Sequence, residues 1–314
     1  MNPVRSLTSR VSQLSHHLAP SSTMASASAS ASAASSSGPA PWRAAFLKNV
    51  NDMASPEFTL ATLHSAAAVA GGSSAVPRLR TVIFRGLWAE LPVNPKNTAP
   101  LNPPVYESDL LTLTTDARMA KVPDLLGSSS SSPPFSSGGG GPVEACFWTD
   151  AKVQWRVRGE AHVLGPDVEH SDAPGAAADL PEGGKAEGAE AVDDDDWSFA
   201  REVTAHFGNL SPAMRGTFRN PEPGTPRGAA PPDGEHRLGQ KVEDLHDELA
   251  RASFRVVVVV PTEVDQTDLS DPDDPRRWLY RFVGASADGH PPPPTTTQDG
   301  AERCNGWDKI ELWP

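Results

Sequence analysis

The side chains able to do chemistry are few and widely spaced in this chain. Arg80 and Arg85 flank the run Thr81-Val82-Ile83-Phe84, and Lys121 follows further on. Guanidinium and ammonium groups bind anions through charge-assisted hydrogen bonds. Read alone, Arg80 and Arg85 are either such ligands or outward residues of a strand. Lys121 is either a ligand or a solvated helix residue. Gln154 can both donate and accept through its amide, but it alternates with Trp155 and fits a surface position equally well. Trp148 reads as a core residue. His206, next to Phe207, reads as structural, and His162, within an alternating run, as exposed. The two cysteines, Cys146 and Cys304, lie far apart, and no Cys-x-x-Cys or Cys/His metal spacing occurs. Both read as reduced thiols of an intracellular protein. No side chain stands out as a general acid or base.

The elements that must hold these residues are organised around one hairpin. Phe147 and Trp148 end an apolar run, Thr149 to Lys152 form a short polar turn, and Val153, Trp155 and Val157 then alternate with Gln154, Arg156 and Arg158. That period of two is the pattern of a half-buried strand. Antiparallel strands joined so tightly belong to a meander or barrel. Further strands are expected at 58–63, 77–86, 110–115, 254–261, 264–269, 278–283 and 307–313. The run Phe254-Arg255-Val256-Val257-Val258-Val259-Val260 is the strongest, and its unbroken apolar character predicts burial on both faces. Helices are expected at 41–50, with Trp42, Phe46, Leu47 and Val50 at helical spacing, and at 117–126, capped by Asp116. Shorter ones are expected at 197–207, 211–219 and 242–252. Seven or eight strands with a few helices predict a mainly β, antiparallel barrel with flanking helices.

Composition bounds the rest. The chain has 314 residues, 32 prolines and 25 glycines, and long Ser/Ala/Gly tracts that read as unstructured. Roughly 180 residues remain to fold, one ordinary domain. The insertions fall at about 127–142, 167–196, 221–240 and 284–303. Between Asp167 and Asp196 there are eleven acidic residues and one lysine, a balance of −10 within a net charge of −13. The folding segments are therefore close to neutral, and a solvated acidic loop explains the overall charge. No basic stripe with interleaved aromatics supports nucleic-acid binding, and no apolar run is long enough for a membrane span. Residues 1–38 lack any acid and carry Arg5 and Arg10. They read as a plain unstructured start or as a mitochondrial transit peptide, so the protein is expected in the cytoplasm, with the mitochondrion as the alternative.

The order of these pieces resembles the FMN-binding split-barrel family of pyridoxamine 5'-phosphate oxidases, more closely its divergent branch. Four motifs carry the resemblance. They are Ala61-Thr62 followed by Pro77-Arg78-Leu79-Arg80-Thr81-Val82-Ile83-Phe84-Arg85; Thr114-Thr115-Asp116 leading to Lys121; Trp148 with Gln154 behind it; and the terminal strand ending in Trp313-Pro314. The resemblance implies FMN as cofactor, a small-molecule substrate such as an amine, and a homodimer with the flavin at the subunit interface. It assigns Arg80 to the flavin phosphate or its neighbourhood, the backbone of Thr81, Val82 and Ile83 to the isoalloxazine, and Thr115, Lys121 and Gln154 to further cofactor contacts. Lys121 is the phosphate ligand and Arg85 replaces a lysine that faces substrate phosphate. The chain departs from the pattern where a serine and an arginine normally precede the lysine: Met119 and Ala120 stand there, with an arginine displaced to Arg118. The arginine–histidine pair that binds substrate near the C-terminus is replaced by Arg276-Arg277-Trp278. The alternatives are a non-catalytic flavin- or haem-binding barrel and a ligand-free scaffold.

Overall fold

The computed structural model describes residues 38–64, 75–127, 137–169, 184–185, 197–228, 234–284 and 300–314. The expectations for residues 1–37, and for most of the acidic stretch and the Ser/Pro/Gly tracts, lie outside the described residues.

Among the described residues, nine strands form one antiparallel sheet: β1 (Glu57–His64), β2 (Val76–Ile83), β3 (Leu111–Asp116), β4 (Gly138–Trp148), β5 (Val153–Leu164), β6 (Phe254–Asp268), β7 (Arg276–Phe282), β8 (Glu302–Cys304) and β9 (Trp307–Leu312). The order is β8-β9-β7-β6-β5-β4-β1-β2, with β3 added to β6. Tyr106–Glu107 and Gly184–Lys185 make a separate two-stranded ribbon. The helices are α1 (Arg43–Asn51), α2 (Lys121–Leu126), α3 (Phe199–Asn209), α4 (Pro212–Gly216) and α5 (Glu248–Ser253).

The hairpin expected at the centre is β4–β5, paired from Trp148↔Gln154 back to Gly138↔Val163. β4 starts at Gly138, inside the stretch whose glycines read as linker. Gly141 tolerates the position because α2 packs directly on it: an added Cβ would lie 2.2 Å from the carbonyl oxygen of Asp124.

β6 makes the barrel split. It pairs with β5 along its whole length. On its other side the first part takes β3, from Asp116↔Phe254 to Leu111↔Val259, and the last part takes β7, from Glu263↔Arg281 to Asp268↔Arg276. The sequence pattern predicts two strands here, broken at Pro261, but one strand runs through. The register shifts beside the proline: Arg158 faces Glu263 and Gly159 faces Pro261, so Thr262 is the extra residue of a bulge on β6 itself. Gly159 is required there, since a Cβ would sit 2.0 Å from the Val260 carbonyl oxygen.

The valine run is buried on both faces, as its composition requires. Val257 and Val259 point into the barrel with Phe46, Phe58, Leu60, Phe147 and Trp155. Phe254, Val256, Val258 and Val260 point into a second core with Trp88, Trp197, Phe207 and Phe218 under α3 and α4. α1 plugs the barrel: Phe46 makes edge contacts with Trp42, Phe84, Phe147 and Trp155, at centroid distances of 5.8, 5.7, 5.1 and 5.6 Å.

The seam closes without a further strand. After β2 the chain turns through Gly86, at φ +113°. The Arg85 N–H donates to Thr112 at 2.9 Å, and the Thr112 N–H donates to Gly86 at 2.9 Å. β2 and β3, distant in sequence, are thereby neighbours.

Four further expectations change. Trp148 is 56 % exposed and not core, because it lies on the outer face at the tip of the hairpin; His162 is buried, since Gly139 leaves room for its ring against β4. Asp116 does not cap α2, which begins at Lys121 with Ala120 before it and no side-chain cap. The helix expected over 242–252 is confined to α5, capped by Asp247, whose side chain accepts from the Ala250 N–H. No helix among the described residues is long and apolar enough to cross a membrane.

Candidate functional site

A cleft of about 720 Å³ runs along the seam between β2 and β3. One wall is the end of β2, with Thr81, Val82 and Ile83, and then Arg85. The floor is the end of β3, with Thr114, Thr115 and Asp116, followed by Met119 and Lys121. The opposite wall comes from α4 and the segment C-terminal to it: Met214, Phe218, residues 220–223 and 225–227, and Leu238. The stretch 221–240, read from composition as linker, therefore contributes directly to the cleft.

Six of the eight residues named from the sequence line this one cleft: Thr81, Val82, Ile83, Arg85, Thr115 and Lys121. Arg80 and Gln154 do not. Arg80 lies beside it, on the inward side of the β1–β2 ladder. Its Nη1 donates to Thr62 Oγ1 at 2.8 Å, the Leu60 carbonyl at 3.3 Å and the Arg78 carbonyl at 3.2 Å. Gln154 is on β5, separated from β2 by β4 and β1. Three inter-strand steps of about 4.8 Å put it roughly 14 Å from the cleft wall.

Charge gives the cleft its character. Lys121 is buried, and its ammonium makes no hydrogen bond or ion pair with any described residue. Desolvation lowers its pKa, the nearby Arg80 charge lowers it further, and Asp116 opposes both. Arg85 is likewise without an ion pair among the described residues, and its Nε is buried with no partner. Burial lowers its pKa as well. The one carboxylate on the floor is already committed. Asp116 accepts from Arg118 Nε at 2.9 Å and Nη2 at 2.6 Å, and Arg118 also donates to the Asn220 and Phe218 carbonyls at 3.0 and 3.1 Å. Arg118, the arginine displaced from the family's pattern, thus ties the 218–220 segment to the cleft floor.

Sequence reasoning missed Phe218, Met214 and Leu238. Their helical or loop context carries no period that would mark a cleft wall. His206 stacks on Trp88 at 6.1 Å and feels the Arg85 charge; burial and Arg85 push its pKa down to about 3. The ring is a neutral part of the second core, which agrees with its structural reading.

The fold and the site together define an antiparallel split barrel with a cationic, half-apolar cleft at its seam. Residues 39–165 match the family model of the pyridoxamine 5'-phosphate oxidase FMN-binding domain. The match covers less than half of the chain, and FMN is the cofactor it supports. No curated protein matches the chain. Among solved structures, a pyridoxamine 5'-phosphate oxidase-related FMN-binding protein from Nostoc punctiforme is 18 % identical, with 88 % of this chain and 100 % of that chain covered at a TM-score of 0.50. PhzG from Burkholderia lata, solved with tetrahydrophenazine-1-carboxylic acid, is 12 % identical over 87 % of this chain and 89 % of that one, at a TM-score of 0.40.

The residues present fit the cofactor. A buried lysine and a half-buried arginine, neither in an ion pair with a described carboxylate, call for an anion such as a phosphate. The volume falls within the roughly 300–1,000 Å³ usual for sites of ligands of this size.

Proposed function

We propose that this protein is an FMN-dependent oxidoreductase of the pyridoxamine 5'-phosphate oxidase-like type, acting on a small amine or a similar reduced substrate. The observation that carries this reading is the pair of uncompensated cations, Arg85 and Lys121, in the same cleft as Thr81, Val82, Ile83 and Thr115. Lys121, with Arg80 behind it, holds the phosphate. The backbone of Thr81, Val82 and Ile83 runs along the ring system, with Thr115 at its floor. The bound flavin supplies the hydride-accepting chemistry. Arg85 offers positive charge where negative charge develops. Met119, Met214, Phe218 and Leu238 give the substrate side an apolar lining. No carboxylate on the cleft floor is left as a base, since Asp116 is held by Arg118.

A homodimer completes this reading. β1, β2 and β4 present an outer face with Leu79, Leu63 and Trp148 at 69, 49 and 56 % exposure. The β1–β2 and β1–β4 registers put these side chains on one side of the sheet with Thr81 and Ile83. Packing that face on a second copy would bury the patch and offer each cleft the other copy's Gln154. The protein's place is the cytoplasm, or the mitochondrion if residues 1–38 direct it there, which the location of a reporter fused to that segment decides.

The test is the absorbance spectrum of the purified protein and an FMN titration of its apo form. Flavin bands near roughly 370 and 450 nm, bleached anaerobically by one of a panel of small amines, are the expected result. A colourless protein that ignores FMN would overturn the proposal. Flavin that binds but that no amine or other small reductant bleaches would leave a non-catalytic flavin barrel.

A further inference from the structure

The Ala61-Thr62 motif has no role in the function so far, yet Thr62 occupies a distinctive place. It is a polar side chain 2 % exposed, on the inward face of β1. Its hydroxyl donates to Asp124 Oδ2 at 2.8 Å, and its oxygen accepts from Arg80 Nη1 at 2.8 Å. Asp124 is itself buried, on α2, one turn after Lys121. Its Oδ1 lies 2.7 Å from His64 Nδ1, and Oδ2 lies 3.9 Å from Arg80 Nη2. The buried carboxylate thus fixes the Thr62 proton, which turns the hydroxyl lone pairs toward the arginine.

The consequence is a guanidinium held by one corner. Nη1 is used three times, by Thr62 Oγ1 and by the carbonyls of Leu60 and Arg78. The Nε side makes no hydrogen bond to a described residue, and Nη2 has only the distant Asp124 oxygen. That remaining edge has the two-donor geometry that grips two oxygens of a phosphate. Arg78 and Lys121 stand near it as further cations, with the carboxylate of Asp124 beside Arg80 and that of Asp116 acting on Lys121. Arg80 is close enough to Lys121 for its charge to depress the lysine pKa, so an anion between them relieves a repulsion already present.

We infer that Thr62 is a positioning residue for phosphate recognition: with its proton committed to Asp124, its hydroxyl pins one corner of the Arg80 guanidinium and leaves the opposite edge for the cofactor's phosphate beside Lys121. This rests on Arg80 and Lys121 being the phosphate end of the site. It predicts that Thr62 acts on the phosphate alone and acts through Arg80.

The experiment compares FMN with riboflavin, which lacks the phosphate, by flavin-fluorescence titration of the full-length apo protein. Thr62→Val removes the hydroxyl at nearly constant volume, and Thr62→Ser restores it. We expect Thr62→Val to weaken FMN binding roughly fivefold to tenfold, with riboflavin within about twofold of wild type. Thr62→Ser should bind both flavins as wild type does. In an Arg80→Gln background, Thr62→Val should add nothing, the signature of two residues acting as one. Equal losses for both flavins would mean that Thr62 only supports the fold, and overturn the inference. So would an unchanged FMN affinity, or a full effect of Thr62→Val in the Arg80→Gln background. If Thr62→Val does not fold, Thr62→Ala takes its place in the same cycle. Wild-type protein that binds riboflavin as tightly as FMN would instead refute the phosphate end itself, and the inference with it.

Discussion

Replacing Lys121 with methionine should move stability and cofactor affinity in opposite directions. Lys121 is buried without an ion pair among the described residues, and desolvation and Arg80 depress its pKa below the usual 10.5. A folded-state pKa below the unfolded one means that the native protein bears a cost for the charge. That cost is full at neutral pH and is relieved only as pH rises from the depressed pKa toward the unfolded value. Lys121→Met should therefore stabilise the apo protein at pH 7, and the gain should shrink at alkaline pH. The same change removes a charge-assisted hydrogen bond worth about 1.5–3 kcal/mol, weakening FMN about 10- to 100-fold. At an FMN concentration of about 100 times the wild-type Kd, binding stabilises the wild type by about 2.7 kcal/mol. For a variant bound about 30-fold more weakly, the same concentration gives about 0.9 kcal/mol. Melting curves with and without FMN read both effects. An apo variant less stable than wild type would mean that the ammonium already has a good partner. An unchanged Kd would remove Lys121 from the phosphate site.

Three other outcomes are expected. Phe46→Ala empties the centre of an aromatic cluster built on four edge contacts. It should cost about 3–5 kcal/mol by calorimetry; a loss below about 1 kcal/mol would show that the barrel interior repacks. His206, with its pKa near 3, stays neutral in the fold while the unfolded chain takes up a proton below about pH 6.5. Stability should then fall as pH drops from about 6.5 to 5, by at most about 1.4 kcal/mol per pH unit. His206→Asn should flatten that slope, and a variant with the wild-type slope would locate its cause elsewhere. Leu79→Asp and Trp148→Glu each place a charge on the uncovered sheet face. Light scattering should show a wild-type dimer and dissociated variants, whereas a wild-type monomer at tens of micromolar would reject the dimer and leave Gln154 outside the site.

The elements of the barrel were legible because they are written in local periods. Alternation marked the β4–β5 hairpin, and unbroken valines marked β6 as a strand buried on both faces. Helical spacing of Trp42, Phe46 and Val50 marked α1. The motif residues of β2 and β3 could be named because the resemblance supplied them. Their own alternation said only that they lie on strands. What sequence could not give was which side chains are left over once the chain has folded. Arg118 and Lys121 look alike as cations, but the Asx turn at Asp116 captures Arg118 and leaves Lys121 alone. Arg80 and Arg85 are on one strand run, yet Thr62 and Asp124 occupy Arg80 while the Arg85 side chain has no hydrogen bond or ion pair with a described residue. Pro261 looked like a break, and a bulge at Thr262 in its own strand lets the strand run on. The cleft itself exists only because Arg85 and Gly86 pair with Thr112 and bring two remote strands together. Periods along a chain record which face is apolar. The partners that satisfy or strand a charge are long-range, and only the closed barrel chose them.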